Sequence, residues 1–394
     1  MNSQTIIEHE GAHTSGAYPK RQLAIVRGEG AHLWDAEGRM YIDCVGGQGA
    51  ANLGHAHPKV VAAITEQAKT LISCPEIFYN DRRAELYDLL ISLAPPGMNR
   101  AFLCNSGAEA VEAAIKFAKL ATGRKGIIAT MRGFHGRTAG ALSATWEKAY
   151  REPFMPLIPE TSHVPYNDLE AASGAINENT AAFLVEVVQG EGGVRPGTAE
   201  YLCGVQALCR ERGALFIVDE VQTGYGRTGK LFASEHYGLE PDLMPTAKSL
   251  AGGLPFGACL IAERIGEIST STHGTTFGGN PVGCAAAVAA LHALHDEGLI
   301  ERSATLGKWM IERLRSTLPA TQVREVRGLG LMIGIELRGK VAPILRALQE
   351  KGVLALPAGA TVLRLLPPLV ISQDDLETAA RAIEEVLTAQ PELA

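Results

Sequence analysis

The sequence predicts an α/β protein in which a large domain with a mostly parallel sheet is followed by a smaller α+β domain. From about residue 80, helical patterns alternate with five short apolar runs, NRAFLCN, KGIIAT, AAFLVEVV, ALFIVDEV and ACLIAE. Runs of this kind are typical of strands that are covered on both faces. The helical patterns between them, such as AEAVEAAIKFAKLA, indicate βα units of a parallel sheet.

The two ends of the chain show different patterns. LAIVRGEG, AHLWDAEG and MYIDCVGG alternate apolar and polar residues, which predicts short strands. Past Gly283 we expect a long helix, a strand over RGLGLMIGIEL, a helix over APILRALQEK, a run VLRLLPPLV and a final amphipathic helix. We therefore predict an N-terminal segment (1–50) that packs with the small domain, a large domain (51–290) and a small C-terminal α+β domain (291–394).

Composition excludes several classes of function. The chain has 394 residues, 46% of them hydrophobic and 20% charged, with a net charge of −7, so it lacks the basic footprint of a nucleic-acid-binding protein. It shows neither a secretory signal nor an apolar run long enough to span a membrane. Seven scattered cysteines, without a CxxC pair or metal-ligand spacing, indicate reduced thiols in a cytoplasmic protein and no metal site.

Three glycine-rich segments are candidate phosphate loops. GYGRTGK matches GxGxxG, but the preceding strand ends in two acids and no helix follows, and GLGLMIG lies within a strand-like run. CNSGAEAVEAAIKFAK is the better anion site, because an apolar strand leads into Ser106, Gly107 and Ala108, where a helix begins. From the local sequence alone, plain capping of the helix explains this segment equally well.

Several chemically useful side chains follow predicted strands. Because the carboxyl ends of parallel strands meet at one sheet edge, we expect these residues to lie together. They are Phe134 and Arg137, then Glu186, Gln189 and Glu191, then Asp219 and Glu220, and finally Lys248. An aromatic face, a carboxylate, an anion site and a lysine amine together suit pyridoxal phosphate, which needs a lysine for a Schiff base and an acid for its ring nitrogen.

Seven motifs carry a resemblance to a known family over essentially the whole chain. They are NSGAEA, GFHGRT, VEVVQGEGGVRP, VDEVQTGYGRTG, AKSLAGGLPFGA, HGTTFGGNP and LRLLPPL, in this order. The sequence resembles the class III, ornithine/acetylornithine-type, pyridoxal-phosphate aminotransferases of fold type I, which implies a seven-stranded sheet in the large domain.

The resemblance also implies roles for individual residues. Lys248 resembles the Schiff-base lysine and Asp219 the partner of the ring nitrogen; both are catalytic. Phe134 resembles the residue stacked on the ring, and Gln222 the residue beside the ring hydroxyl. Ser106, Gly107 and Ala108 match phosphate-binding positions. Thr276 matches a threonine that reaches the phosphate of the neighbouring subunit, which implies a homodimer with shared active sites.

For the substrates, the resemblance implies two arginines and a switch. Arg137 matches an arginine for the far carboxylate of the amine donor, and Arg364 one for the α-carboxylate of 2-oxoglutarate. The acid matching Glu191 pairs with that second arginine while the donor is bound. Gln48 stands where ornithine aminotransferases of the family carry a tyrosine, which argues mildly against free ornithine.

The segments MRGFHGRT, SATWEKAYREPF and VPYND are most similar in sequence to the acetylornithine branch of the family. Within that branch they are similar to enzymes whose lysine or ornithine substrate is carried on a small acidic protein. The resemblance thus implies an ω-aminotransferase of arginine or lysine biosynthesis that acts on an α-N-blocked donor and 2-oxoglutarate. A 4-aminobutyrate or free-ornithine aminotransferase, an isomerase or racemase that needs no keto acid, and a binding protein that kept the fold are the alternatives.

Overall fold

The computed structural model describes residues 1–389. The strands are β1 (Ile25–Glu29), β2 (His32–Asp35), β3 (Met40–Asp43), β4 (Met98–Cys104), β5 (Gly126–Thr130), β6 (Thr161–Val164), β7 (Thr180–Glu186), β8 (Val188–Gln189), β9 (Arg195–Pro196), β10 (Leu215–Asp219), β11 (Leu243–Thr246), β12 (Gly257–Ala262), β13 (Val323–Leu329), β14 (Met332–Leu337), β15 (Val353–Leu354), β16 (Leu356–Ala358) and β17 (Val362–Leu365).

The helices are α1 (Ser3–His13), α2 (Gly46–Gly49), α3 (Pro58–Thr70), α4 (Asp81–Leu93), α5 (Gly107–Thr122), α6 (Ala139–Ala144), α7 (Lys148–Arg151), α8 (Leu169–Ala175), α9 (Ala199–Arg212), α10 (Pro281–Asp296), α11 (Leu299–Thr317), α12 (Val341–Glu350) and α13 (Gln373–Ala389). Short 3₁₀ turns occupy Glu152–Phe154, Ala233–Tyr237, Lys248–Ala251 and Glu263–Ile265.

A seven-stranded sheet forms the centre of the large domain, with the order β4-β12-β11-β10-β7-β5-β6. Only β12 runs against its neighbours, so the prediction of a mostly parallel sheet is confirmed. Every residue of β7, β10, β11 and β12 is buried, because helices cover both faces of the sheet. The five predicted apolar runs all contain strands of this sheet.

Three smaller sheets complete the fold. One is antiparallel, with the order β13-β14-β17-β16; another is mixed, with the order β1-β2-β3-β15; and β8 and β9 form a two-stranded antiparallel sheet. β15 pairs in parallel with β3, which joins the N-terminal strands to the C-terminal part of the chain. Residue 290, where we predicted a domain boundary, lies inside α10.

One local prediction was wrong, and two segments had no predicted structure. RGLGLMIGIEL is two antiparallel strands, β13 and β14, because the chain reverses at Gly330 with a positive φ of 53°. VLRLLPPLV is a strand only as far as Leu365, since the prolines that follow cannot donate to a ladder. Helix α1 was not predicted; it buries no residue, so no apolar pattern marks it.

The GYGRTGK segment has a structural role, because its arginine holds other parts of the chain together. Arg227 is fully buried and donates from Nη1 to the carbonyl oxygens of Leu331 (3.0 Å) and Pro367 (2.5 Å), and from Nη2 to Asn52 Oδ1 (2.5 Å). These bonds join three distant parts of the chain. All seven cysteines are free, and five of them are buried.

Candidate active site

The candidate site lies where the carboxyl ends of the strands meet. β5, β7, β10 and β11 run in parallel as neighbours, and Asp219 is paired in register with Glu186. Lys248 follows β11 by two residues, and Phe134 and Arg137 lie in the loop after β5. The expected gathering of these residues at one edge is therefore what the topology produces.

The first turn of α5 forms the anion cradle. Ser106 is the N-cap, and its hydroxyl accepts a hydrogen bond from the Glu109 amide at 3.2 Å. This bond leaves the amides of Gly107 and Ala108 directed out of the helix end, where the helix dipole favours an anion. A Cβ on Gly107 would lie 2.6 Å from Val221 Cγ1, so only glycine allows this close approach of the helix to the strand-end loop.

Asp219 is held by a buried histidine. Its Oδ2 lies 2.7 Å from His135 Nδ1, and its Oδ1 accepts from the Val221 amide at 3.0 Å. Burial disfavours the charged imidazole, but the hydrogen bond and negative charge of Asp219 outweigh it, so the pKa of His135 is raised. The arrangement fixes the direction of the carboxylate.

Glu186 lies beside this pair at the end of β7. Its carboxylate accepts from the amides of Phe134 (3.1 Å) and Gly190 (3.1 Å). Burial raises the pKa of Glu186 to about 7, against the lowering effect of His135 and of the two amides. Glu186 thereby ties the Phe134 loop to the loop that carries Glu191.

Lys248 combines an unusual backbone with a perturbed amine. It opens a 3₁₀ turn with a φ of 43°, a conformation that side chains other than glycine rarely adopt. Burial lowers the pKa of Lys248 from its ordinary value of 10.5 to about 8; Glu191 opposes this effect and Arg364 adds to it. Such strain and such a shift cluster at functional sites.

Arg364 lies in β17 and is buried close to Lys248. Its Nη1 lies 2.6 Å from Glu191 Oε1 and donates to Gln222 Oε1 at 3.2 Å. Its Nε is buried and has no partner among the described residues. The predicted pairing of Glu191 with Arg364 is therefore present, and Gln222 is a second partner that the sequence did not suggest.

Arg137 is exposed at the mouth of the site and lies over aromatic rings. Its guanidinium carbon is 3.5 Å from the centroid of the Tyr150 ring and 5.5 Å from that of Phe134. The two rings are perpendicular, with centroids 6.3 Å apart. Tyr150, in α7, thus holds the arginine by a cation–π contact and was missed by sequence reasoning, although the quoted SATWEKAYREPF contains it.

Two predicted residues lie at the surface of the chain. Gln48 is exposed in α2, with a left-handed φ of 59°. Thr276 is exposed on the loop before α10, and its neighbour Thr275 accepts a hydrogen bond from Asn105 at 3.0 Å. Within residues 1–389, neither residue makes a polar contact with Lys248 or Asp219.

Other features of the described chain do not belong to this site. A surface cavity of about 1070 Å³ between α12 and α13 is lined by residues such as Lys351, Arg381 and Glu385, and none of the residues above lines it. Residues 1–389 contain no group of three or more His, Cys, Asp or Glu that could hold a metal ion. Over the same range, no helix has the length and apolar character that crossing a membrane requires.

Comparison with known proteins gives matches over nearly the whole chain. The family described as Aminotransferase class-III matches residues 15–387. The chain is 49% identical to the [LysW]-aminoadipate semialdehyde transaminase of Deinococcus radiodurans, over 98% of this chain and 91% of that protein. It is 45% identical to the acetylornithine aminotransferase of Methanothermobacter thermautotrophicus, over 98% of this chain and all of that protein.

Among solved structures, the fold is similar to that of the ornithine aminotransferase of Toxoplasma gondii crystallized with oxidized glutathione. The TM-score is 0.94 at 33% identity, over 98% of this chain and 94% of that one. That structure shows partial occupancy of PLP at its active site.

Proposed function

The chain belongs to the class III aminotransferases, and we propose that it moves the terminal amino group of an α-N-blocked ornithine or lysine to 2-oxoglutarate. The products are a semialdehyde and glutamate, in arginine or lysine biosynthesis. The donor is acetylornithine or a carrier-protein-linked lysine or ornithine. The observation that carries this proposal is the 2.6 Å pair between Glu191 and Arg364 beside Lys248.

The cofactor is pyridoxal 5′-phosphate, and the residues present fit it. The amides of Gly107 and Ala108 at the N-terminus of α5 suit the phosphate, and Gly107 allows the Val221 side chain to approach this helix end closely. Lys248 would hold the aldehyde carbon, Asp219 would face the ring nitrogen, Phe134 would lie on the ring, and Gln222 would lie beside the ring hydroxyl. When bound, the cofactor supplies an electron-withdrawing ring that stabilises negative charge on the substrate carbon.

The chain's own residues supply positioning and proton transfer. Lys248 has a pKa of about 8, so its Nζ can hold a proton or release it near neutral pH. Asp219 presents a carboxylate whose direction is set by His135 at 2.7 Å. Its negative charge favours a protonated ring nitrogen, which the ring needs in order to accept electrons.

Recognition of two different substrates follows from Glu191 and Arg364. While they are paired, the charge of the arginine is compensated, and a donor that presents a terminal amine and no free α-carboxylate near Arg364 is accepted. When 2-oxoglutarate binds, its α-carboxylate takes the place of Glu191 on the guanidinium as a bidentate ligand. Arg137, whose guanidinium lies on the Tyr150 ring, binds the far carboxylate of the amine donor.

A homodimer is part of the proposal. Large apolar side chains are exposed next to Thr276: Phe277 at 62% and Phe78 at 61%. Arg83 joins their two loops by donating to the carbonyl oxygens of Phe78 (2.9 Å) and Gly279 (3.0 Å). We expect this patch to pack against a second copy and to bring Thr276 to the partner's phosphate site. Sedimentation should show a dimer, and a monomer with full cofactor affinity would contradict this part.

We also propose a partner protein and a cellular location. A small acidic amino-group carrier protein is a candidate partner, supported by the exposed Arg137 at the site mouth and by the LysW in the relative's name. A cytoplasmic location is supported by seven free cysteines.

Donor profiling tests the proposed function. Turnover is measured with acetylornithine, free ornithine, 4-aminobutyrate and a carrier-linked lysine, each with and without 2-oxoglutarate. We expect the α-N-blocked donors to be preferred and turnover to require the keto acid. Equal rates on all four donors, or turnover that persists without 2-oxoglutarate, would contradict the proposal.

A further inference from the structure

The loop that carries Glu191 rests on a row of three residues across the small antiparallel sheet. Arg327 of β13 is paired in register with Gly334 of β14, which is paired with Arg364 of β17. Side chains of directly opposed residues in antiparallel strands lie on the same face. Two arginines therefore flank a glycine, at a separation of about two strand spacings, or roughly 10 Å.

Loop residues 190–194 pack against these three residues. Val194 is fully buried over the glycine, and a Cβ on Gly334 would lie 2.8 Å from Val194 Cβ. Val194 has a φ of 51°, which is strained for a β-branched residue. A strained valine persists only where its surroundings fix it, so contacts on either side of the loop must oppose its relaxation.

Arg327 supplies those contacts on one side. Its Nε donates to the carbonyl oxygens of Gly193 and Val194, both at 3.0 Å, and its Nη2 donates to Gly193 at 2.6 Å. Its Nη1 donates to Glu325 and Glu336, both at 2.6 Å. Arg327 is only 6% exposed, and the planar fork of its guanidinium satisfies all of these partners at once.

On the other side of the row, Glu191 meets Arg364 at 2.6 Å. The same five-residue loop is thus held at its end by Arg327 and at Glu191 by Arg364. We infer that Arg327 is a positioning residue that sets where Glu191 stands relative to Arg364, and thereby sets the preference between terminal-amine donors and glutamate. This inference rests on the proposed exchange of Glu191 for a substrate carboxylate on Arg364.

The physical consequence is specific. Without the Arg327 fork, the strained loop relaxes, and Glu191 neutralises Arg364 for a smaller fraction of the time. An uncompensated Arg364 binds α-carboxylates more readily and disfavours the α-N-blocked donor. The ratio of kcat/KM for glutamate to kcat/KM for that donor should rise by roughly three- to tenfold, the worth of one or two net hydrogen bonds.

The test compares R327M with R195M as a matched control. Arg195 donates to the same Glu336 at 2.9 Å but, in the described part of the chain, does not hydrogen-bond to the carbonyl groups of Gly193 or Val194. Substrate preference is measured by kcat/KM, and binding of glutarate, a dicarboxylate without an amine or a keto group, is measured by titration calorimetry. We expect R327M to favour glutamate and to bind glutarate more tightly, and R195M to change neither.

A double variant separates positioning from general damage. E191Q alone should shift the preference in the same direction by about tenfold or more, because a neutral amide pairs weakly with the guanidinium. R327M added to E191Q should then have little further effect, since both act through one pair. If the effects add, or if R195M matches R327M, the inference is overturned.

Two outcomes are distinguished by E191Q itself. If E191Q leaves donor preference and glutarate binding unchanged, the proposed exchange on Arg364 is wrong and the inference is overturned with it. If E191Q shifts both while R327M shifts neither, only the inference fails. Should R327M not fold, G334A carries the test, because its methyl group would push Val194 off the row and should give the same shift.

Discussion

The amine of Lys248 should titrate far below an ordinary lysine, and this can be measured on the cofactor-free protein. Its pKa is about 8, compared with 10.5 for the ordinary side chain. At pH 8, about half of the Lys248 amines are then neutral, whereas only about 1 in 300 would be neutral at the ordinary pKa. Since the neutral amine is the nucleophile, the rate at which pyridoxal 5′-phosphate attaches should follow this fraction.

The assay records cofactor attachment by absorbance across a pH series. We expect the rate to rise with a midpoint near the pKa of about 8. Two variants move the midpoint in opposite directions. E191Q removes a charge that raises the pKa of Lys248, so it lowers the midpoint, and R364M removes a charge that lowers it, so it raises the midpoint. A wild-type midpoint near the ordinary lysine pKa would refute the reasoning. So would midpoints of E191Q and R364M that move in the same direction.

The same shift links the stability of the cofactor-free protein to pH. Because the folded pKa of about 8 lies below the unfolded value of 10.5, the unfolded chain binds more protons between these two pH values. The contribution of Lys248 to the free energy of unfolding is therefore least favourable below the folded pKa and rises with pH through this window. K248M should lose this part of the pH dependence, as measured by urea denaturation across the window.

Three further substitutions have outcomes that follow from single contacts. G190A would place a Cβ 2.0 Å from Gln222 Oε1, so Gln222 must move, and equilibrium dialysis should show cofactor affinity weakened by about tenfold; unchanged affinity would contradict the placement. R227M leaves buried carbonyl groups unpaired and should lower the free energy of unfolding by about 2–4 kcal/mol in urea, with unaltered donor preference among the folded molecules. Y150L removes the ring 3.5 Å from Arg137 and should raise KM for the donor several-fold, whereas Y150F should not; equal effects of both would point to the hydroxyl instead.

The sequence was informative where the chemistry lies in local motifs. Asp219 is the last residue of β10 and Lys248 comes two residues after β11, so prediction of the strands placed both residues at the same sheet edge. Arg364 stands in an apolar run, where burial demands a partner, and Glu191 meets that demand. The apolar runs themselves predicted the large sheet, because strands covered on both faces leave a continuous signal.

The sequence was uninformative where contacts join distant segments. Arg327 reaches Gly193 from 134 residues away, and no local pattern marks either partner. His135 stands inside a quoted motif, but its bond to Asp219 depends on how the loop after β5 folds over β10. The turn between β13 and β14 was missed for a different reason. RGLGLMIGIEL is apolar on both sides of Gly330, so its pattern predicts one continuous strand.

Attachment of the cofactor to Lys248 is the central claim, and chemical trapping tests it most directly. The purified protein is treated with borohydride, digested and mapped by mass spectrometry, with K248A treated in parallel. We predict a yellow protein that loses its colour on reduction, with the reduced cofactor fixed to the peptide that contains Lys248 and no label on K248A. A label on a different lysine, or a colourless K248A that keeps full turnover, would contradict the account.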